Sequence, residues 1–248
     1  MYISGKHHSR PSRAKWFGTV LTGMLAASSV LAQASTELTV DEIIHRSNLA
    51  VYYQGKDGRA QVQMTITDRQ GRERERRLTI LRRDSADSDA LEDNAYWSEQ
   101  QYYVYFQRPS DLNRTVFMVH KFPGRDDDRW MYLPALDVVK RIAASDVRTS
   151  FVGSHFFYED VSGRGLEEDE HELVRTTDTY YVLLNTPKNP GAVEFDSFTM
   201  YIHKETFIPV RIEYERGGET YRVAEVLEVK DIQGYPTVVR SKMTDNRM

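Results

Sequence analysis

The sequence contains no cysteine. That absence excludes a disulfide, a thiol nucleophile, a zinc–thiolate or iron–sulfur site, and an N-terminal lipidated cysteine. Long apolar runs are missing as well. With a mean hydropathy of −0.59 the chain cannot be a polytopic membrane protein. Nor is there a cationic excess, since 33 lysines and arginines stand against 37 acids, and the basic face that nucleic acid demands is not expected. What remains is ordinary: 248 residues, 40% hydrophobic and 28% charged, enough for one domain with a sizeable core.

The N-terminus reads as a leader. Lys6, Arg10, Arg13 and Lys15 form a basic start free of acids, and Phe17 to Leu31 carries no charge over 15 residues. A membrane span takes about 20 apolar residues, so this stretch is too short to cross. Ala32-Gln33-Ala34 then supplies the small-x-small pattern of signal-peptidase cleavage. Residues 1–34 are therefore expected to be a cleaved signal peptide, the alternative being an uncleaved membrane-anchoring segment. Subtracting the four leader cations from 33 leaves 29 bases against 37 acids, a net of −8 for the exported chain. Residues 35–248 show no repeat and no compositional break, which predicts one domain.

Thr39-Val40-Asp41-Glu42 has the capping-box pattern. Val40, Ile43, Ile44 and Val51 recur near one helical face, with Gly55 and Gly58 expected to close the helix. Gln61–Thr67 alternates polar and apolar residues, the period of a half-buried strand. Arg69-Gln70-Gly71 turns the chain into Arg72–Arg83, a predicted hairpin partner. The acidic stretch Asp84–Asn94 reads as a mobile loop. Ten more strands are predicted at Gln101–Gln107, Thr115–Phe122, Arg129–Leu133, Asp137–Ile142, His171–Thr176, Thr179–Asn185, Ser197–His203, Val210–Tyr214, Arg222–Val229 and Thr237–Met243. Turn signals such as Phe122-Pro123-Gly124 and Gln233-Gly234-Tyr235-Pro236 separate them. Short strands in meander order predict a mainly β protein built on one strongly curved antiparallel sheet or a barrel.

No catalytic pattern assembles. His171-Glu172 begins like a zinc-protease helix motif, but Arg175 stands where the second histidine belongs. Gly153-Ser154-His155 is not a nucleophile elbow. Asp126-Asp127-Asp128 lacks calcium-loop spacing and is flanked by Arg125 and Arg129, so it reads as a hairpin turn. His45, His120, His155, His171 and His203 fall on different elements. The expectation is a protein with no enzymatic activity, no metal and no cofactor. A cluster placing His120 or His155 against buried carboxylates would reverse it. Arg72, Arg74 and Arg76, with Arg82 beyond, read as a solvated edge that discourages aggregation, in preference to a basic stripe for a phosphate or acidic partner.

Aromatic residues cluster densely in Tyr102–Phe106, Trp130–Tyr132 and Phe151–Tyr158, and both faces of Tyr102–Phe106 are aromatic. Such stripes are usually core. A curved sheet around one helix nevertheless leaves a concave side that few side chains fill, and methionines on strands suit an adaptable lining.

A longer signature lies in three blocks: Pro109-Ser110-Asp111; Asp126 to Leu136 with Val139-Lys140-Arg141-Ile142; and Ser150-Phe151-Val152-Gly153-Ser154-His155-Phe156-Phe157-Tyr158-Glu159-Asp160. In order and content these resemble the LolA-like proteins, described as outer-membrane lipoprotein-sorting proteins. The resemblance implies an unclosed (half) β-barrel wrapped over one or a few helices, with a hydrophobic cavity for acyl chains. It also implies a periplasmic carrier of lipids or lipoproteins, with an inner-membrane exporter or an outer-membrane acceptor protein as partner. A lipid-sensing or accessory module for a membrane protein is the alternative. Such proteins generally continue with another strand or two past the segment ending Arg240–Met248. On this reading Val62, Met64, Ile66, Leu78 and Ile80 line the cavity from the first hairpin, and Met118, Trp130, Tyr132, Phe198, Met200 and Ile202 from later strands. Phe151, Gly153, Phe156 and Phe157 are the candidate movable gate.

Overall fold

Thr39 opens the first helix as its capping box predicts. Its backbone N–H and hydroxyl both donate to Glu42 Oε2, at 2.8 and 3.0 Å, and Glu42 N–H donates back to the Thr39 hydroxyl at 3.2 Å. Helix α1 spans Val40–Asn48 and widens into a π-helical turn, Leu49–Tyr53. The computed structural model describes residues 37–85 and 99–247. The expected signal peptide lies outside the described residues, as does most of the acidic stretch from position 86 onward. Gly55, at φ +68°, turns the chain out of the helical segment. Gly58 does not close the helix as expected, because strand β1 already runs from Asp57 to Thr67.

Sheet one is a six-stranded meander: β1, β2 (Glu73–Asp84), β3 (Gln100–Arg108), β4 (Val116–Lys121), β5 (Asp128–Leu133) and β6 (Val138–Arg141). Register fixes its faces. Val62 pairs with Leu78, Leu78 with Phe106, Ile80 with Val104, Val104 with Phe117, and Phe117 with Met131. These side chains share one face and form a buried core. Tyr102, Val104 and Phe106 therefore point inward and Tyr103 and Tyr105 outward, which resolves the ambiguity of that aromatic strand. β3 pairs with β2 only from Arg77 onward, so Arg74 and Arg76 stand on a stretch that β1 alone pairs, as an edge requires, while Arg82 lies where β2 is paired on both sides.

Sheet two is a second meander of β7 (Asp169–Thr176), β8 (Tyr180–Pro187), β9 (Ser197–His203), β10 (Pro209–Arg216), β11 (Glu219–Ile232) and β12 (Tyr235–Asp245). The fold is mainly β and unclosed, as predicted, but the single curved sheet is in fact two. The cause lies between β6 and β7, where the chain makes a 3₁₀ turn, an isolated Ser150–Phe157 bridge and a short helix α2 (Tyr158–Ser162) in place of a hairpin. Val152 (φ 49°) and Gly153 (φ 76°) form the turn of that bridge. A β-branched residue in the left-handed region is strained, so the surrounding packing must hold it. Helix α2 ends on Gly163 at φ +82°, where an added Cβ would stand 2.9 Å from the Tyr52 ring.

Two anchors hold α1 and its π turn. Ile43 and Ile44 pack on Leu183 and Ile202 of sheet two. At the other end Arg82, on the inner face of β2, donates to the carbonyls of Tyr52, Gln54 and Gly55. These are the acceptors a helical C-terminus leaves unpaired, and Gln100 Nε2 adds a bond to the Tyr52 carbonyl at 2.8 Å. An Arg82→Ala variant is expected to lose about 2–4 kcal/mol of stability, from charge-assisted bonds of this kind. Urea unfolding followed by circular dichroism checks this, and an unchanged midpoint would remove Arg82 from the anchor.

Candidate functional site

One face of sheet two is apolar across four strands because its register aligns like with like. Met200 stands opposite Ile212, Ile212 opposite Ala224, and Ala224 opposite Met243. Over this face lie Ile44, Val51 and Tyr52 of the α1–π segment, and between the two is a cavity of about 260 Å³. Phe198, Tyr214, Val226 and Val238 complete the floor, and Phe156 and Leu166 stand at one end. A regular α-helical turn at Leu49–Tyr53 would change the side-chain phase over the cavity. The π turn is what carries Val51 and Tyr52 into the lining.

Of the residues named from sequence, Phe198, Met200 and Phe156 line this cavity. Ile202 lies on the same face but is wholly buried under α1. Val62, Met64, Ile66, Leu78 and Ile80 share the inner face of sheet one, where all but Ile66 belong to its core cluster. Met118, Trp130 and Tyr132 require correction. They occupy the opposite, outer face, Met118 pairing with Trp130 while Phe117 and Met131 turn inward. Both faces of β4 and β5 are apolar, so alternation could not choose between them. Among the gate residues, Phe151 is locked against Phe106, Phe117 and Tyr158 at centroid distances of 5.5–5.7 Å. Phe157 is buried beneath Arg222, and Gly153 sits at the bridge turn with open space around its Cα.

The polar end of the cavity is an ionic cluster that no sequence motif announced. Arg148 holds Glu194 bidentately at 2.7 and 2.8 Å and also reaches Glu159. Arg164 holds Asp169 at 2.8 and 3.1 Å and Glu159 at 3.1 Å. Arg222, fully buried, pairs with Asp160, donates to the His155 carbonyl, and lies over the rings of Phe157 and Tyr214 at 4.1 and 4.9 Å. Glu159 and Asp160 sit on α2, whose neighbours Phe151, Tyr158 and Val161 pack on sheet one. The partners are spread from position 148 to 222, and nothing in a linear reading brings them together.

Burial alone would raise the Glu194 carboxyl, but the hydrogen bonds and charge of Arg148 and the Tyr221 hydroxyl outweigh it and hold it at about 2. Burial pushes the Tyr214 phenol up to about 12, helped by Asp160, and pushes Tyr52 higher still. Asp160 is raised by burial, with Arg222 pulling against the rise.

Comparison with other proteins places this geometry. The sequence matches the model of a family described as "-like: Uncharacterized protein" over residues 98–248, more than half the chain. A DUF1329 family protein from Desulfovibrio piger superposes with a TM-score of 0.69 at 23% identity, covering 84% of this chain and 85% of the other. A domain from Vibrio parahaemolyticus described as an outer membrane lipoprotein-sorting protein domain gives 0.68 at 23%, over 83% and 85%. A LolA superfamily protein from Nitrosomonas europaea gives 0.60 at 17%, over 84% and 86%. The chain belongs to the matched family, and it shares its fold with these three structures. No curated protein matches the sequence.

In this fold the histidines stay apart. His120 bonds to Glu99, which is half exposed, at 2.9 Å. His171 lies between Asn185 Oδ1 and the Leu166 carbonyl at 2.6 and 3.0 Å. Among the described residues no three His, Asp or Glu side chains form a metal-holding group.

Two outcomes test the cluster. Arg222→Met strands Asp160 as a buried charge and should cost about 3–5 kcal/mol, most of which the double variant with Asp160→Leu should recover. Thermal unfolding of the three proteins decides this, and equal losses in single and double variants would refute the coupling. Glu194 has a folded value below its unfolded one, so its contribution is full above about pH 4.5 and is lost as pH falls toward about 2. Glu194→Gln should therefore lose on the order of 2–3 kcal/mol at pH 7. In urea titrations that deficit should shrink steadily below pH 4.5, and a deficit constant with pH would show that charge plays no part.

Proposed function

We propose that this protein is a periplasmic carrier that holds an acyl chain of a lipid or lipoprotein in the cavity over sheet two. It then passes the chain between an inner-membrane exporter and an outer-membrane acceptor. The observation that carries this reading is the cavity itself, an apolar floor from four strands roofed by Ile44, Val51 and Tyr52. The relatives described as lipoprotein-sorting and LolA superfamily proteins support it. Residues 35–248 are the carrier domain on this reading, with Phe156 as the movable element at the cavity end.

Energetics explain why a carrier is needed and why it need do no chemistry. Each buried methylene is worth about 0.8 kcal/mol, so a sixteen-carbon chain loses on the order of 10 kcal/mol on entering water. A cavity of matching polarity removes that barrier, and direct contact with donor and acceptor completes the transfer. At about 260 Å³ the cavity falls near the lower end of small-ligand clefts, roughly 300–1,000 Å³. One slender chain suits it better than several.

Native mass spectrometry of protein purified from periplasm without detergent should show an acyl-bearing adduct recoverable by organic extraction. Met200→Asp places a carboxylate on the cavity floor and should weaken retention at least about tenfold, because a buried unpaired charge is costly. Met64→Asp, on sheet one, should retain the adduct. Full retention by a folded Met200→Asp protein, or an adduct lacking any acyl chain, would overturn the assignment.

A further inference from the structure

The apolar cavity is not alone. A cleft of about 530 Å³ lies against it, and Asn48, Glu159, Arg164, Gly165 and Leu166 line both. At Gly165 in this shared lining, an added Cβ would collide with Glu167 Oε1 at 2.6 Å. An apolar hollow and a polar one with a common lining is the arrangement an amphiphile requires.

The cleft's charges are specific. Lys121 and Lys188 form no ion pair among the described residues, each Nζ instead resting on a backbone carbonyl, Ser162 at 2.7 Å and Glu167 at 3.0 Å. Asp126 and the Glu167 carboxylate, which also line the cleft, have no ion pair or hydrogen bond of their own among the described residues. Arg129 is 7% exposed and spends one Nη on Asp127 at 2.7 Å, which leaves its Nε buried with no acceptor. Nε is closed off from the cleft, but the other Nη, also without a hydrogen bond among the described residues, keeps some exposure, and a phosphate oxygen is the acceptor that guanidinium geometry fits best. Two unpaired ammonium groups beside two unpaired carboxylates complement a ligand that carries both signs.

We propose that this cleft is the headgroup site for an amphiphile bearing a phosphodiester and an ammonium, whose acyl chain enters the adjoining cavity. The proposal rests on the reading of that cavity as an acyl site. The phosphate faces Arg129, Lys121 and Lys188, and the ammonium faces Asp126 and Glu167. A purely anionic head meets two unpaired acids, and an uncharged head leaves Lys121, Lys188 and the free Nη of Arg129 without an anion. The site thus favours a zwitterionic lipid over a free fatty acid of the same chain.

The test compares ligands that share a palmitoyl chain, titrated below their micelle concentrations into the full chain with displacement of a fluorescent fatty-acid probe. Palmitoyl lysophosphatidylethanolamine should bind at least about tenfold more tightly than 1-palmitoylglycerol or palmitate, the gain of one or two charge-assisted bonds. Lys188→Glu, a surface change, should remove most of that preference and leave 1-palmitoylglycerol binding unaltered. Arg129→Gln should do the same if it folds. Equal affinity for the phosphate-bearing and uncharged palmitoyl ligands would overturn the headgroup site while the acyl cavity stands. Glycerophosphoethanolamine binding as tightly as the lysolipid would also overturn it, by making the cleft a site for soluble phosphodiesters. Failure of every palmitoyl ligand to bind would instead sink the acyl reading itself.

Discussion

The structure depends on a charge pair placed where no backbone ladder runs. The two sheets share no strand pairing, because β6 and β7 are separated by turns and a short helix. Beside the α1–π segment, α2 joins them, packed through its aromatic neighbours into sheet one and bonded through Asp160 to Arg222 on β11 of sheet two. Desolvating an arginine and an aspartate costs several kcal/mol for each ion, and the pair returns that only when its geometry is good. Here the rings of Phe157 and Tyr214 and the His155 carbonyl complete the guanidinium's surroundings. One guanidinium nitrogen, Nη1, is nevertheless left without an acceptor. A hydrophobic strut would hold the sheets together less selectively. An ionic one admits only the spacing at which the charges meet.

That spacing makes room for a hollow. Sheet one fills its inner face with Phe106, Phe117 and Phe151, leaving a solid core. Sheet two has only α1 and a single π turn above it, and α1 covers Leu183 and Ile202 while leaving Met200, Ile212 and Met243 partly uncovered. One half of the molecule is thus a packed support and the other encloses a cavity. Cavity methionines adjust to irregular contents at little cost, whereas branched residues would fix one shape.

The sequence carried the local structure well. Every predicted strand exists, because period-two alternation reports on backbone geometry directly, and Thr39 and Glu42 cap α1 as their spacing required. The hairpin Gln61–Arg83 even showed which of its side chains face inward. Where alternation was degenerate, the reading failed. Met118, Trp130 and Tyr132 sit on strands apolar on both sides, and only pairing with β3 and β6 decides their direction. The division into two sheets was hidden because the stretch after β6 looks, residue by residue, like any other loop. The ionic cluster was hidden for a deeper reason. Arg148, Arg164 and Arg222 resemble surface arginines until the fold buries them, and burial of a charge is a property of tertiary structure alone.

The contact between Gly163 and Tyr52 has a consequence for how this sequence can change over time. The Tyr52 ring rests where any side chain at position 163 would begin, and the backbone there has a left-handed twist that disfavours other residues. Position 163 therefore cannot drift by itself. A replacement there is tolerated only alongside a smaller residue at position 52, which would in turn enlarge the cavity that Tyr52 lines. The two positions are thus coupled across more than a hundred residues of sequence, and the cavity's volume is tied to a glycine outside its lining.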